Sequence, residues 1–77
     1  MKKTGLYYGG REVLADKSVY YYVLSCHNSL ANAKRALANP EFYYKTTVII
    51  TKQGSRHCVV ARLNEEAQRK VRGKLGK

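Results

Sequence analysis

The sequence predicts a small α+β domain, and three observations predict it. Short runs rich in Val, Ile, Tyr and Thr recur between glycine or polar turns. One alanine-rich segment carries apolar residues at helical spacing, and a charged stretch opening on Asn64 closes the chain. The expected order is β-β-α-β-β-α, with a further strand at the N-terminus as an alternative. That is a small antiparallel or mixed sheet of four or five strands, with one helix packed on one face and a C-terminal helix. Residues 1–77 make a single domain, because a chain of this length has no room for a second core.

Residues 1–12 hold Gly5, Gly9 and Gly10 around Leu6-Tyr7-Tyr8, which suits an edge strand turning at Gly9-Gly10 or an arm anchored by tyrosines. Val13-Leu14-Ala15 and Val19–Ser25 read as strands joined at Asp16-Lys17-Ser18, the second dense in β-formers. Alternation there puts Val19, Tyr21 and Val23 on one face, the expected core, and leaves Tyr20 and Tyr22 for the surface. A helix is expected from Ser29 to Ala38, capped by Asn28 or Ser29 and ended by Asn39-Pro40. Leu30, Ala33 and Leu37 share one side of it, and Lys34 and Arg35 lie away from that stripe.

Phe42–Thr51 and Arg56–Leu63 are expected to form a hairpin about Lys52-Gln53-Gly54-Ser55, with Thr51 opposite Arg56. Val48, Ile50, Val59, Ala61 and Leu63 then share the core face. Lys45, Thr47, Ile49 and Thr51 share the outer face with Arg56, Cys58, Val60 and Arg62. A last helix, Glu65 to Arg72, takes its cap from Asn64 and has Glu65 and Glu66 in its favourable first turn. Its apolar stripe, Ala67 and Val71, is thin, so loose docking and a frayed tail over residues 73–77 are expected.

Charge is the loudest functional signal. Fifteen Lys and Arg against five Asp and Glu give a formal charge of +10 on 77 residues, a field that attracts polyanions before any specific contact forms. The apolar content and seven tyrosines argue against a disordered basic tail. No apolar run approaches the ~20 residues that span a bilayer, and the glycines and charge between Thr4 and Arg11 do not suit a secretory leader. No membrane association is expected, and a cytoplasmic location is. The expected partner is DNA or RNA, or an acidic or nucleic-acid-bearing protein complex. Lys34, Arg35, Lys45, Arg56, Arg62, Arg69, Lys70 and Arg72 would contact phosphates or acidic groups. Tyr20, Tyr22 and Tyr43 would serve as stacking or packing anchors.

Cys26-His27 and His57-Cys58 leave three readings open: ordinary buried side chains, a Cys26–Cys58 disulfide, or a zinc set gathered where the strand ends meet. The five acids are scattered, no phosphate-cradling glycine pattern occurs, and no nucleophile, base and orienter can be assigned. The chain is therefore expected to be a binding module, not an enzyme, with no cofactor.

The segment Ser29-Leu30-Ala31-Asn32-Ala33-Lys34-Arg35, set between a strand and a long hairpin, resembles small phage-encoded anti-CRISPR proteins of the type I inhibitor kind. That resemblance implies a small sheet with a helix. It also implies a phage-encoded inhibitor in the host cytoplasm, docking by protein contact on a nucleoprotein machine. It assigns no site residue here.

Overall fold

A computed structural model describes residues 1–38 and 47–76. The chain runs β1 (Lys2–Tyr8), β2 (Arg11–Asp16), β3 (Val19–His27), α1 (Leu30–Leu37), β4 (Val48–Gln53), β5 (Arg56–Arg62) and α2 (Glu65–Leu75). The fold is α+β, with the extra N-terminal strand present. The five strands form one sheet in the order β1-β2-β3-β5-β4, and every neighbouring pair is antiparallel. β3 and β4 run in the same direction but do not touch, because β5 lies between them.

Two-residue turns close the three hairpins. Tyr8 pairs with Arg11 across Gly9 and Gly10, whose φ values of 60° and 78° meet the demand of a type I′ turn for positive φ at both central positions. Asp16 pairs with Val19, which places Lys17 at φ 58°, where only glycine is comfortable. In the third hairpin Gln53 pairs with Arg56 and Thr51 with Cys58, so the turn is Gly54-Ser55. The expected register of Thr51 opposite Arg56 is thus corrected by two residues. Positive φ is needed at the first central position, and Gly54 supplies it there at 62°. A shift of two keeps every side chain on its expected face.

Both helices lie on one face of the sheet. Ala67 and Val71 of α2 pack on Val13, Tyr20 and Leu63; Ala33 of α1 packs on Leu24, Val59 and Ala61, and Tyr22 packs against both groups. The expected core face of β3 is therefore corrected. Tyr20 is 8% exposed and Tyr22 is half-buried between the two clusters. Alternation left the choice of face undecided, and the arrival of α2 over Tyr20 decided it.

A third cluster, Leu14, Cys58 and Val60, occupies the other face with Met1, Tyr21, Val23, Cys26 and Ile49 packed about it, and no helix residue belongs to it. Val13, Leu14, Val59 and Val60 are fully buried, each contributing roughly 1.5–3 kcal/mol. The sheet curls over this side: the Gln53 side-chain amide on β4 donates to the Met1 carbonyl beside β1, 3.0 Å away, although the two belong to opposite edges.

A β-bulge in β3 resets its alternation. Val23 pairs with Val60 and Ser25 with Val59, so Leu24 and Ser25 together answer a single β5 residue. Val23 and Cys26, three apart, consequently pack into the same cluster, which a regular strand forbids. The bulge carries Cys26 opposite Cys58, and the two form a disulfide with Cα atoms 4.0 Å apart. Arg11 holds the kink, its Nη1 donating to the carbonyls of Val23 (3.3 Å) and Leu24 (3.0 Å).

The last helix is longer and better seated than its thin stripe suggests. It runs through Gly73 to Leu75, so that part of the expected frayed tail is helical. Gln68, only 3% exposed, accepts from the Tyr20 amide (2.8 Å) and donates to the carbonyls of Tyr20 (2.7 Å) and Leu63 (3.1 Å). Beyond Arg62 the sheet has no strand left to satisfy Tyr20 fully, and this amide takes over.

Candidate nucleic-acid interface

α2 sorts its residues by face. Asn64 caps it, Oδ1 accepting from the Ala67 amide at 2.8 Å, and Ala67, Gln68 and Val71 turn inward. Arg69, Lys70, Arg72 and Lys74 are left exposed. On α1, Ser29 caps the first turn, with Oγ accepting from the Asn32 amide (3.1 Å), and Ala33 is buried, so Lys34 and Arg35 also face solvent. The cations of both helices thus lie on the helical side of the molecule.

The remaining predicted cations are elsewhere. Arg56 and Arg62 belong to the face away from the helices, in register with Gln53 and Tyr21. Arg56 Nη2 donates to the Cys26 carbonyl (3.0 Å), and Arg62 meets Glu65 at 3.6 Å. Lys45 and Tyr43 lie outside the described residues. Among the described residues the predicted cations are thus divided between the two faces of the sheet.

Two predicted anchors are corrected outright. Tyr20 is core, and Tyr22 is wedged between the two clusters under the helices, so neither ring is a surface platform. Arg72 has structural duties: Nη2 donates to the Ser18 carbonyl (3.2 Å), and the guanidinium sits 5.9 Å from the centre of the Tyr20 ring.

The structure supplies anchors the sequence reading passed over. Tyr7 is 67% exposed and Tyr8 36%, at the end of the β1–β2 hairpin. They line a groove of about 170 Å³ with Leu6 on β1 and Lys70, Val71 and Lys74 on α2. Lys70 is paired with Glu66 at 3.4 Å, an exposed (i, i+4) contact of the weak, salt-sensitive kind. The signal was present in the sequence. Tyr-Tyr directly before Gly-Gly puts both rings at a hairpin end, where strand packing does not absorb them.

The zinc reading is also corrected. Cys26 and Cys58 are bonded to one another. His27 pairs with His57 in the adjacent register position, and adjacent positions present opposite faces. Ser25 Oγ lies 2.9 Å from His27 Nε2. Among the described residues no three His, Cys, Asp or Glu side chains gather into a metal-binding group.

Among the described residues no helix is long and apolar enough to cross a membrane. Comparison with protein-family models, with curated proteins and with solved structures finds no match.

Proposed function

We propose that this protein is a non-enzymatic binding module that contacts nucleic acid through the helical side of the molecule. One observation carries the reading. Two acids near the basic helix, Glu65 and Glu66, are engaged with Arg62 and Lys70, while Arg69 and Lys74 beside them and Lys34 and Arg35 on α1 have no acidic partner among the described residues. The excess charge is therefore presented to solvent on two helices that share one face of the sheet, and neutralising phosphates there would release counterions and add affinity.

Fluorescence anisotropy with a labelled oligonucleotide at several salt concentrations tests this. Affinity should fall linearly with salt on a log–log plot, by about 0.7–0.9 in slope per neutralised phosphate. The triple charge reversal R69E/K70E/K74E should abolish binding while the far-UV spectrum is kept. Arg72 is left out because its reversal would disturb the Ser18 and Tyr20 contacts. Wild-type binding that is absent, or that ignores salt, rejects the reading.

A second reading, docking on a nucleic-acid-handling protein as an anti-CRISPR-like inhibitor would, draws support from the helix-free sheet face. There Tyr21, Val23 and Ile49 stay half-buried around an apolar centre, with Arg56 and Arg62 on the same face. A complex captured from host lysate that survives nuclease, and that is lost in Tyr21→Asp, would favour it. The Cys26–Cys58 bond enters both readings. Disulfides persist poorly in a reducing cytosol, so a cytoplasmic site of action would require function with the bond open.

A further inference from the structure

We infer that the groove between the β1–β2 hairpin and α2 takes an unpaired base of a single-stranded nucleic acid, against the Tyr8 ring, with Lys70 and Lys74 on the flanking phosphates. This rests on the nucleic-acid reading and narrows it to a strand type and a place.

The chemistry of the lining is the argument. Tyr8 pairs with Arg11 and, like Leu6 two residues before it, lies on the face that carries α2, whereas Tyr7 pairs with Glu12 on the opposite face. Tyr8 is 36% exposed, so its ring offers a flat apolar partner a π-face. Leu6 and Val71 form the apolar floor, and the two lysines stand on one wall. Lys70 and Lys74 are one helical turn apart, about 6 Å along the axis, which suits successive phosphates of an extended strand. The volume of about 170 Å³ is several times the roughly 30 Å³ of a water molecule and on the scale of one base.

A duplex cannot use this site. Its base faces are already stacked, and its edges would meet rings instead of hydrogen-bonding groups. A single strand offers bare π-faces and phosphates together. The acids nearby do not oppose this: Glu66 is held on Lys70, and Glu12, the cross-strand neighbour of Tyr7, is half-buried.

The test is anisotropy on the full chain with three probes of equal length: oligo-dT, oligo-U and a mixed-sequence DNA duplex. Single strands should bind at least about tenfold more tightly than the duplex. Tyr8→Ala should weaken single-strand binding roughly 5- to 150-fold, the range of one lost stacked base, whereas Tyr7→Ala, on the opposite face, should leave it within about twofold. They should leave the salt slope and duplex binding unchanged. Lys70→Gln with Lys74→Gln should instead lower the slope by about 1.4, two single-strand phosphates at roughly 0.7 each. Tyr8→Phe keeps the π-face and should bind as wild type, whereas Tyr8→Leu keeps bulk and should not. This pair keeps the test decisive if an alanine variant fails to fold. Salt-dependent binding that treats duplex and single strand alike, or that survives Tyr8→Leu, overturns this inference and leaves the broader reading standing. No binding to any probe overturns both.

Discussion

Gln68 shows how one polar side chain can settle an element's position. It makes three hydrogen bonds in a buried setting, two of them to the main chain of Tyr20, and so fixes α2 against β3 where apolar area is scarce. Gln68→Ala leaves the buried Tyr20 amide unpaired and the Tyr20 carbonyl with the Leu63 amide as its remaining donor, and should cost about 2–3 kcal/mol in urea unfolding with little change in the slope. Lys17 is strained in the opposite sense. It holds a left-handed φ of 58° that L-residues adopt at a cost of roughly 1–2 kcal/mol, offset in part by the unfolded-state entropy glycine adds. Lys17→Gly should therefore stabilise the protein by up to about 1 kcal/mol, seen as a higher urea midpoint. Neither role was legible beforehand: the apolar stripe of the last helix runs through Ala67 and Val71 without Gln68, and Lys17 is one of three turn residues.

Among the elements, β3 carries the most consequence. Its bulge brings Cys26 into line with Cys58, and the cation of Arg11 tethers the carbonyls that the bulge exposes. The bonded cysteines are 32 positions apart, a separation for which the chain-entropy estimate is about 3–4 kcal/mol. Cys26→Ala/Cys58→Ala should lose about that much stability. A dithiol should weaken the wild type similarly and leave the double variant unchanged, both read by urea unfolding. The helices depend more on local sequence. Asn64→Ala removes the bond to the Ala67 amide and should cost about 1 kcal/mol. That cap and the acidic first turn of α2 were readable, and the α1 cap was narrowed to Asn28 or Ser29, because capping is chemistry within one turn of the chain; the structure selects Ser29.

Taken whole, the molecule divides its charge between two faces, and the division bears on what it can bind. Lys34, Arg35, Arg69, Lys70 and Lys74 share the helical side, while Arg56 and Arg62 lie across the sheet. Arg56→Glu should therefore leave nucleic-acid affinity within about twofold beyond the general loss of charge that Lys17→Glu also brings, checked by anisotropy at fixed salt. Length, charge, the α+β class, both helices and the faces of the β4–β5 hairpin were determined by the sequence alone, since each follows from composition, period or a local cap. The face of β3 that became core, the order β3-β5-β4, the disulfide and the tyrosines left exposed were decided only by tertiary structure. Period-two alternation offers two faces and does not choose between them. The choice fell to α2 closing over Tyr20 and to a single inserted residue that turned Cys26 toward Cys58.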